Sequence, residues 1–424
     1  MAPMKIKVTS PLVEIDGDEI ARIMWQQVRE RLVLPFLDIE LKYFDLSLKS
    51  RDACDDRITR EAAMAARAYG VTVKCSTITP DDQRVRDEGL KRRYPSPNGV
   101  IRNELDGTIF REPVICANVP RLVPHWTHPV VIARHAYAEQ YKAQEIAVPG
   151  PGTVKLVYQA ADGTASIEQE IHRFTGPGVA LGMFNVDDSI RGFARACLGY
   201  GLHRKYPVYF SHKATVLKQY DGRFIEIFRQ VYEADFAAAF RAAGIGFEAR
   251  LIDDMVASNL KWSGGYLWAC KNYDGDVHSD SVAQGYGSAG LMSSLLMSPD
   301  GRLVASETAH GTVTRQYRKY QQDGNIETNP IATIFAWSRG IAHRGRLDGT
   351  PEVERFSAIL EKACVDVVES GRMTSDLARL IGPNFPSLDT TDFIDAVAGE
   401  LRNRLGFVSC TATSPPNNLD GLPR

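Results

Sequence analysis

Short strand-like runs alternate with longer helical stretches along most of the chain, and this alternation constrains the fold more than any other feature. It predicts an α/β architecture in which helices cover a sheet. Residues 18–34 place Ile20, Ile23, Met24, Val28 and Leu32 at helical spacing. Residues 60–69 are alanine-rich and stop at Gly70, a helix terminator, and 71–77 is then strand-like. Apolar runs at 130–133 and 207–210 read as short buried strands. Residues 225–243, closed by Gly244, read as a long helix, and 246–252 as a strand. The stretch 145–180 departs from this rhythm. Two strand-like runs, 154–158 and 166–172, flank Ala161, Asp162 and Gly163, a hairpin turn signal, so a β-rich insert is expected. Residues 411–424 read as a disordered tail.

Length and composition narrow the classes. A chain of 424 residues with 44% hydrophobic and 24% charged side chains has room for two or three globular domains. A net charge of −2 gives no basic excess for nucleic acid or an anionic membrane surface. No apolar run approaches the roughly 18 residues that cross a bilayer. The opening MAPMKIKV lacks the apolar core and cleavage site of a secretory signal. Seven cysteines without a C-x-x-C pair argue against a disulfide framework or structural zinc, and a cytoplasmic location is expected.

The chemistry-bearing residues cluster. Asp276 and Asp280 are four apart and share a face if helical, while Asp253, followed by Asp254, would stand at the end of strand 246–252. Converging carboxylates of this kind suit a hard divalent cation such as Mg²⁺ or Mn²⁺; the alternative is a set of solvated acids. Thr77, Thr79, Arg134, Lys213 and Asp253 all follow predicted strands, where the carboxyl ends of α/β sheets line a ligand crevice. The run Ser96-Pro97-Asn98-Gly99-Val100-Ile101-Arg102 offers a hydroxyl, an amide and a guanidinium, and Arg111 and Arg134 follow. Three arginine forks suit a substrate with several carboxylates, although most arginines are simply surface residues. His310 to Arg315 could cradle phosphate with backbone amides and hydroxyls. The G-x-G-x-x-G at 285–290 follows a probable helix rather than a strand, so it reads as a helix exit and not as a dinucleotide fingerprint. Tyr141 and Lys213 are candidates for proton transfer; both ordinarily titrate near pH 10 and need tuning.

Taken together, VKCSTITPD (73–81), SPNGVIRN (96–103), ARHAY (133–137), LIDDMVA (251–257), WACKNYDGD (268–276), AHGTVTR (309–315) and NPIATIFAW (329–337) resemble the dimeric isocitrate dehydrogenases over residues 8–408. The resemblance implies the β-decarboxylating dehydrogenase fold rather than a Rossmann fold. A large α/β domain would come from 1–105 and 287–410, a small α/β domain from 106–138 and 187–286, and a β-rich clasp, 139–186, would join two subunits. It implies a metal held by Asp276 and Asp280, with Asp253 given by the neighbouring subunit. Isocitrate would be held by Thr77, Ser96, Asn98, Arg102, Arg111 and Arg134. The cofactor site would comprise Thr77, Thr79, Arg84, Asn98, Lys261, Glu307, His310, Gly311, Thr312, Val313, Thr314, Arg315 and Asn329. Lys213 from the neighbour, assisted by Asp276, would take the hydroxyl proton as hydride leaves for the nicotinamide. The β-keto acid would lose CO₂, and Tyr141 would protonate the enolate to give 2-oxoglutarate.

Two positions depart from the NADP-using pattern: Gln316 replaces the usual His, and Ser258 a frequent Gln. Arg315 and Lys261, the charged partners of the 2′-phosphate by resemblance, are kept. Charge-assisted bonds are worth about 1.5–3 kcal/mol against about 1 for neutral ones. NADP preference with weakened discrimination is therefore expected, and NAD preference is the alternative. Rival readings are a dehydrogenase of isopropylmalate or tartrate, a non-catalytic metal- or RNA-binding relative, and a Mg²⁺-dependent phosphatase or nuclease.

Overall fold

The helix expected at 18–34 forms as Glu19–Val28 and runs on through a wide π turn, Arg29–Val33, burying Ile20, Met24, Trp25 and Val28. The computed structural model describes residues 5–406, so the expectation for 411–424 lies outside the described residues. Its strands are β1 (Ile6–Lys7), β2 (Leu12–Asp16), β3 (Leu37–Asp38), β4 (Leu41–Asp45), β5 (Val71–Lys74), β6 (Thr108–Pro113), β7 (Val130–His135), β8 (Gln144–Val148), β9 (Gly152–Gln159), β10 (Ser166–Phe174), β11 (Gly178–Gly182), β12 (Val208–His212), β13 (Phe247–Leu251), β14 (Tyr266–Cys270), β15 (Met292–Met297) and β16 (Val304–Thr308).

Ten of these form one sheet in the order β13-β12-β14-β7-β6-β15-β16-β5-β2-β4. The strands β13, β12, β14 and β7 are mutually parallel, as are β16, β5, β2 and β4. Between the two blocks, β6 and β15 pair antiparallel with each other and with their neighbours. The blocks therefore point in opposite directions, which a doubly wound parallel sheet does not allow. Strands β2, β5, β7 and β14 are buried along their whole length, as expected of strands covered by helices on both faces.

The two largest of five hydrophobic clusters among the described residues pack against the sheet. One gathers Trp25, Trp337, Phe356, Leu360, Phe393 and Leu401 from the helices near both ends of the chain. In the other, Phe228 stacks 4.5 Å from Phe210 and meets Phe193 edge-on. A buried phenylalanine of this kind contributes about 3–5 kcal/mol relative to alanine. The long helix expected at 225–243 is Tyr220–Val231 and Ala237–Ala243 with a π turn at Tyr232–Phe236, closed by Gly244 in the left-handed region (φ 69°). Glycine 285 ends helix Asn272–Gly285, so the 285–290 motif is a helix exit as expected.

The β-rich insert is present as two antiparallel pairs, β9 with β10 and β8 with β11. The turn falls at the expected residues: Gly163 has φ 72°, and Asp162 accepts hydrogen bonds from the Thr164 N–H and hydroxyl. Both faces of this insert are open, and Ile146, Leu156, Val157, Tyr158, Ile167 and Ile171 are exposed. No helix among the described residues is long and apolar enough to cross a membrane.

Candidate active site

The site is built on the face of the sheet rather than along the ends of its strands. Strand pairing sets Lys74 beside Glu307, Glu307 beside Ser294, Ser294 beside Arg111, and Arg111 beside Ile132. Directly paired residues share a face, so one row across β5, β16, β15 and β6 carries four polar side chains. Arg134, two residues past Ile132, is on the same face. This corrects the expectation that Arg134 follows its strand: β7 continues to His135, and Arg134 lies within it. The strand runs on because Arg134 pairs with both Cys270 of β14 and Ile109 of β6, and His135 with Thr108. Asp253 also shifts, into the first turn of helix Ile252–Asn259, because that helix starts as soon as β13 ends.

Helix Pro97–Leu105, with Pro97 in its first turn and Ser96 at its N-cap, brings Asn98 and Arg102 over this floor. Arg102 Nη2 donates to Glu307 Oε1 at 3.1 Å, Ser294 Oγ to the same oxygen at 3.4 Å, and Lys74 Nζ lies 3.9 Å from Glu307 Oε2. Burial pushes the Glu307 carboxyl up, but the Arg102 and Lys74 charges outweigh it and hold it below its ordinary value. Burial also pushes the Lys74 ammonium down, against the pull of Glu307. Glu307, expected among the cofactor residues, is thus the counter-ion of Arg102.

Arg134 Nε donates to Asn272 Oδ1 at 2.9 Å, and its fork pairs with the Asp276 carboxylate. Helix Asn272–Gly285 leans closely on β7 here: a Cβ at Gly275 would fall 2.7 Å from that of Arg134. The Arg134 guanidinium stands 4.6 Å over the Tyr141 ring, and the Tyr141 hydroxyl donates to Asp276 Oδ2 at 2.8 Å. Burial and that hydrogen bond push the Tyr141 phenol up to about 12, with Arg134 opposing. Arg111 reaches Asp280 at 3.5 Å. Burial lowers the Arg134 pKa, and Arg102 and Arg111 add repulsion, so three guanidiniums crowd one small region. Such a cluster favours an anion.

Buried polar atoms here lack partners. Thr77 Oγ1, Asn98 Oδ1, Arg102 Nε and Arg111 Nε accept or donate nothing within the protein. Each unmet buried group costs about 1–3 kcal/mol, so four around one floor mark a place where a polar ligand completes the hydrogen bonding. For a hard divalent cation, Asp276 and Asp280 supply oxygens from one helix face. Asp253 is not brought to them: among the described residues, no group of three potential ligands forms. Asp253 instead pairs with Lys213, which follows β12 and whose N–H donates to the buried Asp221 at 2.6 Å.

Five of the expected cofactor residues, Thr77, Thr79, Arg84, Thr312 and Thr314, come together in a second cluster. A crevice of about 410 Å³ is lined by Thr77, Thr79, Arg84, Thr312, Thr314 and Arg318. Ser76 Oγ bonds both Thr308 Oγ1 and the His310 carbonyl at 2.6 Å, fixing the loop's start. Burial lowers the His310 pKa, and its Nε2 is unpartnered. Val313 sits in the left-handed region at φ 63°, a strained setting for a β-branched residue and one that functional loops tolerate. Asn329 bonds Asp376 at 3.3 Å and accepts from the Ile331 N–H at the start of helix Ile331–Asp348. Arg315 and Gln316 border a separate hollow with Lys319 and Arg379. Among the described residues, no hydrogen bond or ion pair joins Lys261 to this loop; its N–H donates to the Ser258 carbonyl at 2.9 Å. The sequence reading missed Ser294, Lys74 and Glu19. Lys74 lies inside a quoted motif; the other two have no local signal.

The sheet and the paired clusters define a mixed α/β enzyme-like scaffold with an anion-binding floor. Residues 7–397 match the family described as isocitrate/isopropylmalate dehydrogenase, and the chain belongs to that family. It is 57% identical over 397 residues to a protein named isocitrate dehydrogenase (NADP) from Sphingobium yanoikuyae, covering 94% of this chain and 98% of that one. It is 57% identical over 402 residues to isocitrate dehydrogenase (NADP) 1 of Mycobacterium tuberculosis, covering 95% and 98%. It is 52% identical over 411 residues to the human mitochondrial isocitrate dehydrogenase (NADP), covering 96% and 91%.

Proposed function

We propose that the protein catalyses the oxidative decarboxylation of isocitrate to 2-oxoglutarate and CO₂, with NADP as oxidant and Mg²⁺ or Mn²⁺ as required cation. The carrying observation is the floor of Arg102, Arg111 and Arg134 beside Asp276 and Asp280, where the Arg102 and Arg111 Nε donors are buried without a partner. Similarity to NADP isocitrate dehydrogenases over nearly the full chain supports the same reading.

Each residue has a physical task. The three arginines take the substrate's carboxylates, with Thr77, Ser96 and Asn98 completing the hydrogen bonds. A divalent cation bound at Asp276 and Asp280 supplies Lewis acidity to the substrate hydroxyl. Binding of substrate and cation would release Arg134 from Asp276. Arg134 at the β-carboxylate would hold that group until it leaves as CO₂. Tyr141, with its phenol pushed up to about 12, stays protonated at neutral pH and can deliver a proton to the carbon that loses CO₂. Lys213 would serve as the base for the hydroxyl proton, and Asp253, its ion-pair partner, would be a further carboxylate able to hold the cation.

Asp253 and Lys213 belong together and stand as a pair contributed to the Asp276–Asp280 site of a second copy of the chain. The exposed apolar side chains of the β8–β11 insert support it as the clasp of that homodimer. The two parallel blocks of the sheet correspond to the proposed large and small domains. Arg84, Thr79, the loop His310 to Arg315 and Asn329 would hold NADP, with Arg315 and the second copy's Lys261 at the 2′-phosphate. Six free cysteines among the described residues support a cytoplasmic site of action.

An absorbance assay of cofactor reduction tests this reading. Isocitrate and isopropylmalate are each supplied with NADP or NAD, with and without Mg²⁺. Turnover is expected with isocitrate, NADP and metal together; its absence from that mixture would sink the reading. Sedimentation at micromolar concentration should give twice the chain mass.

A further inference from the structure

The Gly17-Asp18-Glu19 corner, where β2 meets helix Glu19–Val28, ties together segments that the sequence keeps far apart. Gly17 approaches the Ser76 carbonyl so closely that a Cβ there would fall 1.9 Å from its oxygen. Asp18 accepts from the Leu48 and Ile78 N–H groups at 2.8 and 2.9 Å, which fixes the segment carrying Thr77 and Thr79. Glu19 does more. Its Oε1 takes Arg84 Nη2 at 2.6 Å, and its Oε2 takes the Thr312 and Thr314 hydroxyls at 2.7 and 2.6 Å. Ala21 N–H adds a 3.4 Å bond to the Thr312 carbonyl. The Glu19 side chain is only 7% exposed. Its backbone is in the left-handed region at φ 54°, which costs a non-glycine residue roughly 1 kcal/mol or more and persists only where surroundings hold it.

We infer that Glu19 is a positioning residue for the NADP site: one buried carboxylate, joined to Arg84, Thr312 and Thr314, holds helix Asp82–Glu88 and the 312–314 loop in register around the crevice where the cofactor's phosphates bind. The inference rests on the functional reading above, and it adds a residue that touches neither substrate nor cofactor. The loop's threonine hydroxyls are tied to Glu19, and Thr312 and Thr314 line the crevice together with Arg84. The carboxylate also fixes the Arg84 fork, so less of that side chain's freedom is lost when a phosphate arrives. A carboxamide keeps the shape at Glu19 but cannot accept from all three donors, and it leaves Arg84 with Glu88, at 3.2 Å, as its remaining ion-pair partner.

The test is direct titration of full-length protein with NADPH, read by cofactor fluorescence, beside steady-state kinetics. Glu19→Gln should raise the NADPH Kd and the NADP KM by about tenfold, the value of roughly one charge-assisted hydrogen bond. Its kcat at saturating NADP and its isocitrate KM should stay within about twofold. An unchanged or tighter NADPH Kd overturns the inference, and so does a loss confined to kcat. Should Glu19→Gln fail to fold, Glu19→Asp keeps the charge with a shorter reach; an intermediate loss of NADPH affinity is expected, and wild-type affinity would overturn the inference. The pair Glu19→Gln and Thr314→Val should be non-additive; fully additive losses would also overturn it. Wild-type protein in the same series separates the two failures. If it does not bind NADPH saturably, the functional reading falls; if it does while Glu19→Gln binds equally well, only the positioning role falls.

Discussion

Replacing Glu307 with glutamine should unbalance the floor of the site. The Glu307 carboxylate is shared by Arg102 at 3.1 Å and Lys74 at 3.9 Å, and Lys74 is only 2% exposed. Removing one partner of a buried pair costs about 3–5 kcal/mol, because the charge left behind is uncompensated. The pH dependence separates this mechanism from a general packing defect. In wild type, Glu307 has a folded pKa held below its unfolded value. Its contribution is therefore present above the unfolded carboxyl range, near pH 4.3, and is lost as pH falls through the folded pKa. In Glu307→Gln, Lys74 loses the charge that props up its already lowered pKa. A lysine whose folded pKa is depressed destabilises the fold below that pKa, and the deficit shrinks as pH rises toward the unfolded value near 10.4. Thermal midpoints measured at fixed protein concentration between pH 6 and 10 should converge on wild type at the alkaline end. Adding Lys74→Met should recover most of the loss. Arg102 also loses its anchor, so the isocitrate KM should rise about 10- to 100-fold. A variant as stable as wild type at pH 7, or a deficit independent of pH, would refute the reasoning.

Three further outcomes follow from the geometry. Tyr141→Phe should lower kcat by about 10²- to 10⁴-fold with the isocitrate KM nearly unchanged, since the hydroxyl is the proposed acid; a KM effect alone would remove Tyr141 from proton transfer. Glu139, buried beside Asn272 and pushed up to about 7 by burial, should make wild-type stability fall as pH rises from about 4.3 through 7. Glu139→Gln should remove that slope and gain up to roughly 3 kcal/mol above pH 8, which denaturation midpoints across this range will register or refute. Gln316→His should raise the ratio of kcat/KM for NADP over NAD by a few-fold, at pH 6 more than at pH 8 as an added imidazolium deprotonates; a ratio insensitive to both substitution and pH would place Gln316 outside the 2′-phosphate site.

Sequence periodicity located what is locally encoded. Helix Glu19–Val28, strand β12, the hairpin turn at Gly163 and the helix exit at Gly285 all fall where spacing and turn residues place them. The two antiparallel strands at the centre of the sheet were not legible. In β6, Arg111 and Glu112 interrupt the apolar pattern, and in β15 Ser293 and Ser294 do the same. Two of those interruptions, Arg111 and Ser294, lie in the row that carries the site, so features that obscured the strands are among those that carry chemistry. The arginines and Asp276 were nameable from composition and motif, but their common face depends on strand order, which no local pattern encodes. Glu19 shows the same limit more sharply: its partners lie 65 and nearly 300 residues away.

The row from Lys74 to Arg111 also bears on how such a scaffold changes its substrate. Its members are spaced by backbone ladders across four strands, and Glu112, next to Arg111, points the other way into a separate cluster with Arg204 and Arg339. A one-residue insertion in β6 would exchange the two faces, turning Arg111 away and presenting the carboxylate in its place. The floor therefore resists evolutionary drift. New selectivity would have to come from helix Pro97–Leu105, which lies over the floor without belonging to any ladder, and can trade Ser96 or Asn98 while the ladder geometry beneath stays still.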